Sequence, residues 1–198
     1  METIDFDKIF IYTKAKYFNW FLSFGSKKII CCNDISQALP NKKNILITCN
    51  VGHIIPLKIF SRFHLALNIH PGSYKFPGRD PHHWACYEKS KDFGATAHIM
   101  EKIVDSGKII DYEIMKVTEN QNPSDYHKIG NICAKKLSKR VIENLKTKNI
   151  FSKKVKWSRK SKKRIELIEM CNFKNLDDEE VNLRKKAFQG FEKFFNYS

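Results

Sequence analysis

Asn44-Ile-Leu-Ile-Thr-Cys49 and Leu65-Ala-Leu-Asn-Ile-His70 are the two runs on which the fold turns. Both are short, rich in β-branched residues and apolar without alternation, the pattern of strands covered on both faces. Between them, Pro56 to Arg62 reads as a helix opened by a proline in its first turn. Strand, crossover helix, strand is the unit of a parallel sheet. Toward the N-terminus, Lys8 to Tyr12 and Lys27 to Cys32 repeat the strand pattern, with Lys14 to Ser23 as a helical spacer. The expected class is α/β: a Rossmann-like, mostly parallel sheet with helices on both faces.

Toward the C-terminus, Asp80 to Lys89 reads as a helix carrying Trp84 and Tyr87. Phe93 to Met100 and Lys108 to Val117 read as strands joined by a loop at 101–107, either antiparallel additions to the sheet or a hairpin-like excursion. Tyr126, Ile129, Ile132, Cys133, Leu137, Val141 and Leu145 recur at steps that predict one long amphipathic helix, capped by Asn122-Pro123-Ser124. Arg164 to Met170 is a short strand or helix, and Leu176 to Val181 opens a last helix with its acids in the first turn. Nothing demands a second independent domain.

The 198 residues carry 36 Lys and Arg against 21 Asp and Glu, a formal net charge of +15. Residues 131–198 hold 19 basic and 8 acidic side chains, so most of the excess sits in the last third. Its densest part runs from Ser152 to Arg164. Such a run can meet phosphates on nucleic acid, on anionic lipid or on a nucleotide-linked substrate, or be a solvated loop. Trp157 is its one aromatic, too few for a base-stacking platform, so nucleic acid is a disfavoured partner. No apolar run approaches the roughly 20 residues of a membrane span, and the N-terminus places acids where an export signal would carry lysines. A cytoplasmic protein is expected. Its six cysteines lack metal-binding spacing and mostly lie within apolar runs, so no zinc site and no disulfide framework are expected.

The stretch after the second deciding run carries the chemistry. Asn68 and His70 stand two apart on a strand, so their side chains share a face, and Pro71 holds His70 extended. A strand end followed by a Gly/Pro loop is where open α/β sheets place active sites. An amide donor beside an imidazole suits a carbonyl that becomes an oxyanion. Asp105, before Ser106-Gly107, is the candidate to set the imidazole's charge and accept a proton. His98 and Thr96 share one strand face and could support the site, although a hydrogen-bonded structural histidine is the favoured reading. His82 and His83 are adjacent, face different directions on a helix and are not read as a metal pair.

Five separated motifs then agree in order and spacing: Gly52-His-Ile-Ile-Pro56, Asn68-Ile-His70-Pro, Gly78-Arg-Asp-Pro-His-His-Trp84-Ala, Phe93-Gly94-Ala-Thr96-Ala-His98 and Val104-Asp105-Ser-Gly107-Lys-Ile-Ile110. In these the chain resembles the formyltransferases that use N10-formyltetrahydrofolate. The resemblance implies that Asn68, His70 and Asp105 are the catalytic trio, acting on a formyl carbon attacked by an amine. It implies a cofactor slot built by His53, Ile54 and Ile55 and by the loop containing Lys102 and Val104. Tyr74, Arg79 and Trp84 are the substrate-side candidates. It implies a catalytic domain over 1–150 followed by a basic appendage over 151–198 that is not an independent domain.

Three acceptor classes occur in the resembling family. Glycinamide ribonucleotide enzymes carry a Gly/Ser-rich phosphate loop after the first strand, where this chain has Tyr12-Thr-Lys-Ala-Lys16 without glycine. Methionyl-tRNA enzymes add a β-barrel domain for which the chain as given has no room. The Tyr74-Lys-Phe-Pro-Gly78 segment and the closing Arg184 to Phe188 are most similar to the sugar N-formyltransferases. The expected acceptor is therefore an amino sugar linked to dTDP or another nucleoside diphosphate, with a homodimer implied by the same resemblance. The contrasting reading is an inactive scaffold whose basic third grips nucleic acid.

Overall fold

The computed structural model describes residues 6–147 and 154–197. Six strands form one sheet in the order β2-β1-β3-β4-β5-β6. They are β1 (Lys8–Tyr12), β2 (Ile29–Cys32), β3 (Asn44–Cys49), β4 (Leu65–His70), β5 (Asp92–Ile99) and β6 (Ile109–Lys116). The pairs β1 with β2, β1 with β3 and β3 with β4 are parallel. β5 runs antiparallel to both β4 and β6, so the strands after residue 90 extend the sheet.

Alternation along the strands sorts the core into two faces. Ile9, Ile11, Ile45, Ile47, Leu67, Ile69, Ala95 and Ala97 pack against Phe21 of α1 (Phe18–Leu22) and Leu137, Val141 and Ile142 of α4 (Pro123–Lys146). α4 begins at a reciprocal cap, in which the Asn122 side chain accepts from the Asp125 N–H at 3.1 Å and Asp125 accepts from the Asn122 N–H at 3.2 Å. Its stripe holds as expected except at Ile132, which is 47% exposed and faces outward. On the other face, Phe10, Tyr12 and Leu46 meet Phe60 and Phe63 at and after α2 (Leu57–Phe60). Full burial of an Ile or Leu is worth roughly 1.5–3 kcal/mol, and every residue of β3 is buried. β3 is therefore the spine of the sheet.

The crossover expected over Pro56 to Arg62 is a helix of four residues, because Phe60 and Phe63 already fill the space beneath it. Helices cover this face over β1 and β3, whereas over β4 and β5 loops take their place. The vacancy left by a full-length helix is where the polar side chains of β4 gather.

α3 (Pro81–Tyr87), α5 (Arg164–Glu169) and α6 (Asp178–Ala187) form a second apolar cluster around Phe76, Trp84, Phe93, Leu167 and Phe188. Arg164 to Met170 is thus helical, not a strand. Tyr87 donates to Glu180 at 2.7 Å and His83 Nδ1 lies 2.7 Å from the Ala187 carbonyl, so the C-terminal segment shares a core with the rest of the chain. The expected boundary at 150 and 151, and Ser152 and Lys153 of the basic run, lie outside the described residues. No helix among those described is long and apolar enough to cross a membrane.

Candidate functional site

Pairing register brings the site together before any loop does. Asn68 lies opposite His98 and His70 opposite Thr96, on the face away from α4. Thr48, opposite Asn68 on β3, donates its hydroxyl to Asn68 Oδ1 at 2.7 Å. That bond fixes the amide with its oxygen toward Thr48 and its Nδ2 toward Asp105 and His98.

The loop after β5 folds back over this face and places Asp105 among them. Asp105 Oδ1 lies 3.2 Å from Asn68 Nδ2 and 3.0 Å from His98 Nε2. Its Oδ2 accepts the Gly78 N–H at 2.8 Å and lies 3.3 Å from His70 Nδ1. Asp105 has φ 47°, left-handed backbone that costs most residues energy and that Asp and Asn tolerate best. Burial alone would push its carboxyl up; His70, His98 and the Gly78 N–H outweigh that and hold it at about 2. Hydrogen bonds to a charged group are worth roughly 1.5–3 kcal/mol each, enough to keep a nearly enclosed carboxylate ionised.

Each imidazole spans two acceptors. His70 Nε2 lies 3.0 Å from the Phe76 carbonyl and His98 Nδ1 lies 2.9 Å from the Ile99 carbonyl, while the opposite nitrogens face Asp105. Gly72 makes room for this: a Cβ there would fall 2.3 Å from His70 Nε2.

The remaining expected site residues divide. His53 is exposed and its Nε2 lies 2.6 Å from the buried Tyr12 hydroxyl. Ile54 is 73% exposed, whereas Ile55 is buried in the core beside Phe10. Lys102 and Val104 are exposed on the loop that delivers Asp105. Arg79 donates to the Gly52 carbonyl at 2.8 Å, tying the loop after β4 to the His53 segment. Tyr74 is half-buried, edge-on to Tyr112. Trp84 is core: 5% exposed, set against Phe188 and under Lys162. A large aromatic on a short helix has the same local signature in either role, and here the C-terminal segment covers it.

Thr48 and Trp157 belong to the site without having been expected there. The position of Thr48 follows from register with Asn68, which pairing rules could have supplied. Trp157 has no local signal at all.

A model of the family described as "Formyl transferase" matches residues 33–142, a span that contains Asn68, His70 and Asp105. The chain belongs to this family. Among curated formyl transferases it is similar to methionyl-tRNA formyltransferase of Staphylococcus aureus strain Newman, 25% identical over 124 residues, or 62% of this chain and 40% of that one. The chain thus spans about two fifths of the length of such relatives. Among solved formyl transferases, a 4-N formyltransferase from Francisella tularensis superposes with a TM-score of 0.74 at 20% identity, covering 91% of this chain and 87% of that one. An N-formyltransferase from Helicobacter canadensis, solved with folinic acid and dTDP-3-aminofucose, gives 0.70 at 18% identity over 96% and 83%. At these identities the likeness establishes the shared fold.

Proposed function

We propose that the chain is an N-formyltransferase that moves the formyl group of N10-formyltetrahydrofolate to the amine of a nucleotide-linked amino sugar. The observation that carries the reading is the convergence of Asn68 and His70, from β4, on the carboxylate of Asp105, from the loop after β5. The sugar acceptor is supported by the likeness to the Helicobacter canadensis structure, solved with dTDP-3-aminofucose, which extends over 96% of the chain, whereas the match to the tRNA enzyme covers 62%.

The residues around the trio fit a flat folate ring. Ile54, Ile103 and Val104 offer exposed apolar side chains at 73%, 67% and 39% on the two loops expected to line the slot. His53 and Lys102 stand beside them as polar groups. When bound, the folate supplies the one-carbon unit.

The chain's own groups would then act as follows. When the amine nitrogen bonds to the formyl carbon, negative charge would grow on the formyl oxygen, and it would return to the carbonyl as the carbon's bond to N10 breaks. Asn68 Nδ2 and His70 Nε2 are the donors available to it; His70 Nε2 must exchange the Phe76 carbonyl for that oxygen. The amine gives up one proton and N10 gains one. Asp105, held at about 2, is ionised at any working pH and a poor proton store. Its part is to orient both imidazoles, while the amine's proton leaves to water and N10 takes one from water.

The test is to incubate the chain with N10-formyltetrahydrofolate and a panel of amino-sugar nucleotides, methionyl-tRNA and glycinamide ribonucleotide. A mass gain of one formyl group on an amino-sugar nucleotide is expected. Formylation of the tRNA or the ribonucleotide alone would remove the sugar half of the proposal, and transfer to none of them would remove the whole.

A further inference from the structure

The segment 154–162 lies across the loop after β4 as a strap. Ser158 N–H donates to the Tyr74 carbonyl at 3.1 Å, Lys162 N–H to the Pro77 carbonyl at 3.0 Å, and Arg79 N–H to the Lys162 carbonyl at 2.8 Å. Gly78 permits this approach: it has φ 98°, and a Cβ on it would fall 2.3 Å from the main chain of Lys162. The strap is pinned further by Arg159 on Glu88, Lys162 on Glu166 and Arg164 on Asp80. Three basic side chains of the run, Arg159, Lys162 and Arg164, are therefore held in internal ion pairs.

At the centre of the strap, Trp157 turns inward. Its Nε1–H donates to the Gly107 carbonyl at 2.8 Å, two residues beyond Asp105. Its ring stands edge-on to His98 at 5.1 Å and to His70 at 6.0 Å between centroids. Trp157 lies outside the span matched by the family model, 33–142.

We propose that Trp157 is a positioning residue for formyl transfer, acting through His70 and His98. The His70 imidazole has Asp105 at Nδ1, the Phe76 carbonyl at Nε2, Gly72 alongside and the indole edge-on. The indole fixes both rings against the carboxylate and displaces water from the pair, which strengthens their interaction by lowering the local dielectric. A misplacement of about 1 Å in a transfer site can cost about 100-fold in rate, so the effect belongs in kcat rather than in binding. The inference rests on the reading under Proposed function.

The experiment compares Trp157→Phe, Trp157→Leu and His70→Ala with the parent chain, using the amino-sugar nucleotide that accepts the formyl group and calorimetric binding of 5-formyltetrahydrofolate. Trp157→Leu is expected to lower kcat about 30- to 100-fold, with KM for the amine and the folate dissociation constant within about threefold of the parent. Trp157→Phe keeps the ring edge and is expected within about fivefold in kcat. If Trp157→Leu fails to fold, Trp157→Met takes its place under the same expectation. A leucine or methionine variant with parental kcat, or phenylalanine and leucine variants that lose rate and folate binding equally, overturns the inference. Full activity in His70→Ala would instead overturn the reading beneath it.

Discussion

Gly72 and His70 leave no room between them: a Cβ at position 72 would stand 2.3 Å from His70 Nε2 and 2.8 Å from the Pro81 side chain. Gly72→Ala must therefore move the imidazole, since Pro81 closes the other side. We expect at least a 100-fold loss of kcat with a melting temperature lowered by only a few degrees. A glycine-to-alanine variant of parental rate would show that His70 need not sit where it does.

Thr48→Val keeps the shape of a buried side chain and removes the hydroxyl on Asn68 Oδ1. The amide is then free to turn its oxygen toward the reactants. About a tenfold fall in kcat is expected, against roughly 100- to 1,000-fold for Asn68→Ala, which deletes the donor itself. Steady-state rates at saturating formyl donor decide it, and equal losses would show that Thr48 does more than orient the amide.

Asp105 gives the fold an acid limit. Its native carboxyl sits at about 2 against an ordinary 3.8, so the unfolded chain takes up the proton first as pH falls. The stability it contributes is complete above about pH 4 and drains away toward pH 2. Denaturant unfolding of the parent and of Asp105→Asn should differ most at neutral pH and converge at the acid end. A gap that is constant from pH 7 to pH 2.5 would contradict the assignment.

A separate window belongs to His82. Burial, and then the neighbouring His83 and His127, push its imidazole down to about 3, with Asp80 opposing them and Arg164 adding to the shift. His82 and His127 rings stand 5.1 Å apart, joining α3 to α4. Because the unfolded histidine protonates near 6.5 and the native one does not, stability falls as pH drops from 6.5 toward 3. His82→Gln should flatten that slope by up to about 1.4 kcal/mol per pH unit. Unchanged slopes in paired denaturation series would refute it.

β3 and β4 were legible residue for residue because a largely apolar run of strand length ends sharply at Asn50 and Pro71. α2 was overread, since Pro56 announces a start while the stop is set by Phe60 and Phe63 finding the core, which is a tertiary event. Asn68 and His70 could be placed on one face from their spacing, and Asp105 was read as their partner. His98 was weighed more heavily as a structural histidine than as support for the site, and it lies 3.0 Å from Asp105. The strap could not be read at all: lysines and arginines that find Glu88, Asp80 and Glu166 are written no differently from those that meet solvent.

The docking of the strap on Pro77 and Arg79 has a consequence for biosynthesis. A ribosome extruding this polypeptide delivers all six strands by Lys116 and the long helix by Lys146, yet the wall over His70 arrives with Trp157. The indole beside His70 and His98 is thus among the last parts of the chain to be made, after the sheet that carries the two imidazoles.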